Sequence, residues 1–293
     1  EKIGQTSWAV TLGGLRTLVA TFTYLKAYDQ FASQHWNDLE KTFETTVQLS
    51  PHSRYYWDLG AWHMSYNAGS YYLSESDLPP IRARAERLRW IHKGRAFLEK
   101  GIQNNPRDPQ IRLSLARFYE DSFQIPDDQA ACAQYEKAME LGADQTYVQR
   151  AYLRSLVRTG QDPARARALL ADLLKTRENR VPTLLCFDFV FRWEDLSGKG
   201  TPDPVALAVQ EFGSESKALL ILGSFLTDVR SRWPSSGVET TVRVLESRAG
   251  ISPADPRSDI YKRDQAMKGV IQMQETGVVP GQRRPVELAP QQH

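Results

Sequence analysis

DPQIRLSLARFYEDSFQIPDDQAACAQYEKAMELGAD, residues 108–144, decides the fold. Leu115, Ala116 and Tyr119 fall on one face of a helix, and Ala131, Tyr135 and Ala138 on one face of a second. On each face a large ring stands three or four positions from a small residue. Two helices with that alternation approach closely without leaving voids. The stretch therefore predicts two short helices folded back on each other, ending at Gly142-Ala143.

The pattern recurs. Ala116 to Ala151, Ala131 to Ala166 and Tyr135 to Leu170 are each 35 residues apart, so both helices of a hairpin share one period. Upstream, Ala27 and Ala61 are 34 apart. Pro51 and Pro106 close successive units but are 55 apart, which places an insertion at about 69–89 in the second unit. Gly94, Leu98 and Gly101 fill that unit's second-helix positions. A degenerate fifth hairpin follows in VPTLLCFDFVFRWEDL and DPVALAVQEF. A sixth pairs SKALLILGSFLTDV with GVETTVRVLESRAG, and a helix from about Pro256 to Thr276 caps the end. Asp108-Pro109, Asp162-Pro163, Asp203-Pro204 and Asp255-Pro256 each set an N-cap acceptor before a proline at the first helical position. Near the start, Trp8, Leu12, Leu15, Val19 and Phe22 recur at helical spacing and predict one apolar face. Residues 277–293, rich in Pro, Gln and Gly, are expected to be a flexible tail.

Composition limits the function classes. Of the 293 residues 41% are hydrophobic and 25% charged, enough for a core, and the net charge of +2 argues against bulk nucleic acid as partner. Two cysteines, Cys132 and Cys186, cannot form a disulfide framework and read as buried thiols. The five histidines make no metal-ligand spacing, so no metal or other cofactor is expected. SGKGT at 197–201 lacks the upstream glycine and strand of a phosphate loop. Trp8 to Leu25 is apolar but interrupted by Arg16 and several threonines, too polar for a membrane span. The chain starts at Glu1 and not Met, which reads as a removed leader or a fragment.

The paired registers resemble the tetratricopeptide repeat, a helix–turn–helix unit of about 34 residues. The resemblance covers roughly residues 15–180, and 181–253 more weakly. Lys26 departs from it where leucine is usual, as do Gly60-Ala61 in place of the usual Leu-Gly pair. It implies an all-α, right-handed superhelical α-solenoid of five to six hairpins over residues 1–276. LGGLR at 12–16, QLSP at 48–51 and the tryptophan-rich helix after it also resemble uncharacterised bacterial envelope proteins with an N-terminal anchor. That second likeness implies a cell-envelope or periplasm-facing location, with membrane association through an anchor outside this chain. The cytoplasm is the alternative.

In the family, first helices line a concave groove that receives a peptide or partner helix. Carried over by repeat position, the groove holds Tyr24, Tyr28, Trp62, Tyr66, Arg117 and Tyr152. The lysine–asparagine clamp of the family's carboxylate-terminus readers is absent. The expected function is a non-catalytic protein–protein scaffold, since no constellation of convergent titratable groups marks an enzyme. The basic run Arg82, Arg84, Arg87 and Arg89 offers an acidic-partner contact, and within 82–95 it motivates the alternative of an RNA-binding helical-repeat protein.

Overall fold

The computed structural model describes residues 2–276, so the expected tail at 277–293 lies outside the described residues. Among the described residues every regular element is helical. The chain divides into two compact units, the first ending at Asp144 and the second beginning at Gln145.

The first unit contains α1 (Lys2–Ala32), α2 (Trp36–Leu49), α3 (Arg54–Trp62), a π-helical turn (His63–Ala68), α4 (Gly69–Ser74), α5 (Pro80–Asn104), α6 (Pro109–Glu120) and α7 (Asp128–Glu140). α1 packs on α2, α6 on α7, and α5 runs along α3, the π-turn and α4. Residues 69–89 lengthen both arms of the second hairpin, so that α3, the π-turn and α4 form one unbroken helical run facing the 25 residues of α5. Gly69 and Ala83 are buried in that seam. The unit's core gathers Trp36, Phe43, Trp57, Trp90, Phe97 and Phe118.

The hairpin of α6 and α7 is built as its sequence predicts. Ala116, Ala131, Tyr135 and Ala138 are fully buried at the crossing. Asp108 and Asp127 cap the two N-termini by accepting from Gln110 N and Ala130 N. The end is a Schellman motif: Gly142 is left-handed at φ +94°, its N–H bonds Met139 O at 2.9 Å, and Ala143 N–H bonds Ala138 O at 3.0 Å.

α1 departs from expectation. Its inner stripe is Ala20 and Ala27, both buried, with Tyr24 and Phe31 partly buried beside them and turned toward α2, whereas Leu15, Val19 and Phe22 are exposed. Trp8 and Leu12, the other members of the expected face, lie outside the residues whose side chains are described. Two small alanines carry the packing because they let the α1 and α2 backbones come close, and small residues leave only a weak hydrophobic signal.

The second unit contains α8 (Thr146–Thr159), α9 (Pro163–Leu173), α10 (Pro182–Ser197), α11 (Pro204–Phe212), α12 (Glu215–Thr227), α13 (Val238–Arg248) and α14 (Asp259–Thr276), with short 3₁₀ turns at Arg177–Asn179 and Val229–Ser231. Asp162 and Asp203 cap α9 and α11 ahead of their prolines. Asp255-Pro256 does not start a helix. Asp255 is held instead by Arg257, through its backbone N–H at 2.8 Å and its guanidinium. Ser258 caps α14, its Oγ accepting from Tyr261 N at 3.2 Å.

Candidate functional site

Four elements of the first unit (α3, the π-turn, α5 and α6) enclose a cleft of about 310 Å³ lined by Asp58, Ala61, Trp62, Ser65, Tyr66, Leu98, Ser114, Arg117 and Phe118. Its floor is apolar and fixed: Ala61, Leu98 and Phe118 are buried in the core. Glycine at 94 lets α5 come up against α3, where a Cβ would meet Ala61 O and Ser65 Cβ, each at 2.8 Å. The π-turn lies at this approach. Ser65 turns its hydroxyl onto Ala61 O at 2.8 Å, and the widened turn carries Tyr66 into the cleft wall. Single π-turns inside α-helices are frequent at functional sites.

The walls divide by chemistry. The Trp62 ring is 47% exposed and meets His63 edge-on at 5.0 Å. His63 is wedged against Phe31 and Phe43, and burial pushes its pKa down to about 4. Its Nδ1 is 2.8 Å from Asn67 Nδ2, so a neutral ring accepts there. The Tyr66 hydroxyl donates to Asp121 Oδ2, and burial followed by that contact raises its pKa. Asp121 Oδ1 in turn accepts from Phe123 N at 2.7 Å, which fixes the α6–α7 loop against the cleft.

Asp58 and Arg117 give the cleft opposite charges. Burial raises the Asp58 carboxyl above its usual range, while the Ser114 hydroxyl, Arg54 and Arg117 pull it back down. Its Oδ2 stands 3.5 Å from Arg54 Nε, and its Oδ1 is buried with no hydrogen-bond partner among the described residues. The cleft thus combines an aromatic wall, an apolar floor, an under-used acceptor and an exposed guanidinium. It can hold an extended main chain or a side chain with a polar head.

Of the six groove residues expected from repeat position, the structure brings three together: Trp62, Tyr66 and Arg117. Tyr28 is on the surface at 74% exposure and lines no described cavity. Tyr24 is a packing residue. Its ring lies 5.6 Å from Tyr56 and 6.1 Å from Phe43, and its hydroxyl is 3.1 Å from that of Tyr55. That bond, with burial, pushes its pKa up to about 12. Tyr152 belongs to the second unit and is buried at 2%, with the Arg165 guanidinium 5.1 Å over its ring. Repeat position fixes the azimuth of a residue on its helix but not what the next element lays over it, and here that differs between units. Asp58 and Ser114 were missed as cleft residues. Their only sequence signal is that they sit one helical turn before Trp62 and one residue short of a turn before Arg117.

The basic run is partly committed inside the fold. Arg87 donates to Phe123 O across to the α6–α7 loop, and burial lowers its pKa. Arg89 pairs with Glu86 at 2.6 Å and stands 5.3 Å over the Trp90 ring. Arg82 and Arg84 are exposed. In the second unit a cavity of about 330 Å³ is lined by Pro182, Cys186, Leu220, Phe225 and Trp233 together with Thr183, Ser224 and Asp228. Burial raises the Cys186 thiol, which disfavours the reactive thiolate. Both cysteines are buried.

No group of three or more His, Cys, Asp or Glu among the described residues is placed to hold a metal ion. No helix among them is long and apolar enough to cross a membrane. No family model, curated protein or solved structure matches the chain.

Proposed function

We propose that the protein is a non-catalytic interaction scaffold of tetratricopeptide type that takes a peptide or partner helix in the cleft between α3, α5 and α6. The observation that carries this reading is the exposed Trp62 ring set beside the buried acceptor of Asp58 and the guanidinium of Arg117, over a floor that cannot collapse. Trp and Arg dominate binding hot spots because they bury large area, or make charge-assisted bonds, at low entropy cost. A rigid floor leaves most of the ordering entropy to the bound segment. The cell envelope is the proposed setting, on the likeness of LGGLR and QLSP to envelope proteins.

The test is selection of a displayed peptide library on the purified chain, with Trp62→Ala and Arg117→Ala as counter-screens. Selected peptides should lose about 30-fold or more in affinity to Trp62→Ala, as central aromatic anchors do, while its melting temperature holds. Peptides that bind both variants as tightly as the parent would move the interface elsewhere. Loss of stability in Trp62→Ala would assign the ring to packing.

A further inference from the structure

α1 and α3 run side by side in the same direction. The Tyr24 ring meets Tyr55 edge-on at 5.9 Å, and seven residues further along α1 the Phe31 ring lies 4.9 Å from His63. Tyr28 falls between them, near the level of Leu59, and about 40° further round its helix than Tyr24. On α3, Tyr55 and Trp62 are seven residues apart. That spacing puts them on one face, within about 20° of each other and about 10.5 Å apart along the axis. Tyr28, Tyr55 and Trp62 are 74%, 56% and 47% exposed. The three rings form an open aromatic strip that starts at Tyr55 and leads into the cleft at Trp62.

Hydrogen bonding selects the occupant. The Trp62 indole N–H and, at the cleft end, the exposed Arg117 guanidinium only donate, and the Tyr28 hydroxyl can donate. The one carboxylate lining the cleft, Asp58, faces Arg54 at 3.5 Å and keeps its unbonded Oδ1 buried. A partner helix matches the ring spacing, since it also advances about 10.5 Å in seven residues, but its main-chain carbonyls are spent on its own bonds. A polyproline II segment repeats its face every three residues, about 9.3 Å, and has no internal hydrogen bonds, so every carbonyl is open to a donor. Its prolines carry no N–H that would need an acceptor. Segments of this kind dock in grooves lined by aromatic rings. We propose that the strip and the cleft bind a proline-rich segment in the polyproline II conformation, with one proline against Tyr55 and another, three residues away, against Trp62. The proposal rests on the cleft being the peptide site and names the class of peptide it takes.

The test is fluorescence anisotropy of a labelled proline decamer, a preformed polyproline II helix, titrated with the full chain. The decamer should bind, and a labelled alanine-rich helix of the same length should not. Trp62→Ala and Tyr28→Ala should each weaken binding by about tenfold or more, as anchor rings do. Tyr28 is the most exposed of the three rings, so its truncation should leave the melting temperature unchanged. Tyr147→Ala, which removes an exposed ring of the second unit, should bind like the parent. A decamer that does not bind, a helix that binds as tightly, or a decamer held equally by parent, Trp62→Ala and Tyr28→Ala overturns the proposal. If peptides selected from a library need Trp62 but contain no proline, the polyproline class falls and the cleft stands as a peptide site. If no peptide of either kind depends on Trp62, both fall together.

Discussion

Gly94 faces Ala61 across the second hairpin so closely that a Cβ on Gly94 would stand 2.8 Å from the Ala61 carbonyl oxygen and 3.2 Å from the Ser65 backbone nitrogen. Backbone atoms cannot rotate aside, so the two helices must separate to admit a methyl group. Gly94→Ala should destabilise the first unit by about 1–3 kcal/mol, the usual penalty of overpacking, and should perturb the Trp62 environment. Gly69 in the same seam is the control. Its nearest neighbours to a new Cβ are Arg87 Cγ and Ile91 Cγ1 at 3.8 Å. Gly69→Ala should be neutral or stabilising by about 0.5–1 kcal/mol through helix propensity and unfolded-state entropy. Tryptophan fluorescence and hydrogen exchange in the first unit decide it. Equal effects of the two substitutions would mean that the seam is looser than its geometry.

The crossing of α6 and α7 makes a second test. Ala116 and Ala131 are fully buried, and the Tyr135 ring beside them sends its hydroxyl to Glu120 Oε2 at 2.5 Å. Ala116→Leu should cost about 1–3 kcal/mol, and Tyr135→Ala about 3–5 kcal/mol, as for other buried aromatic truncations. Urea titration monitored by amide exchange in α6 and α7 measures both. Unchanged protection in either variant would contradict the register read from the 35-residue spacing.

That spacing shows what the sequence could carry. The crossings at Ala116, Ala131 and Tyr135 were legible because ring against alanine is a volume pattern that survives in one dimension. So were the three Asp-Pro caps, whose mechanism is local. The π-turn was not legible, since it depends on how near α5 comes at Gly94. Nor was the covered face of α1: the leucine stripe is the stronger periodic signal, yet the alanine stripe is the one buried. Three of the nine cleft residues, Trp62, Tyr66 and Arg117, were visible through repeat position. Asp58 became a site residue only when burial deprived its carboxylate of solvent, which no residue-type pattern encodes. Tyr152, at the same repeat position, is closed over in its own unit.

His63 gives the first unit an acid-sensitive point. Burial against Phe31 and Phe43 holds its folded pKa at about 4, below the ordinary 6.5. For a base with a depressed pKa the native state binds fewer protons than the unfolded chain. The stability it contributes is present above pH 6.5 and is lost as pH falls from there toward 4, by of the order of 3 kcal/mol when complete. Protonation also removes the acceptor that Asn67 uses. His63→Gln keeps a neutral acceptor and should flatten this slope. The measurement is first-unit hydrogen-exchange stability at pH 7 and pH 5, corrected for intrinsic rates. Parallel losses in parent and variant would remove His63 as the cause.

Glu211 does the reverse in the second unit. Its side chain is only 3% exposed, and its Oε1 is buried with no hydrogen-bond partner among the described residues. Arg192 serves Asp188 first, Nε to Oδ2 at 2.8 Å, and reaches Glu211 Oε2 only at 3.6 Å through Nη1. Burial, then the charge of Asp188, raises the Glu211 carboxyl from 4.5 to about 7, against the pull of Arg192 and Arg180. An acid with a raised pKa stabilises the fold while protonated. Relative to its unfolded counterpart, Glu211 is therefore most favourable below pH 4.5, and that stability is lost as pH rises through about 7, on the order of 1–3 kcal/mol in all. Glu211→Gln keeps the shape of the protonated acid without its titration. It should leave second-unit stability at pH 5 nearly unchanged and raise it at pH 8, where the parent must bury a charge. Amide exchange of α10 and α11 at the two pH values reads the difference directly. A variant that is destabilised equally at both would show that Glu211 contributes by its ionised contacts with Arg192, and not by staying neutral.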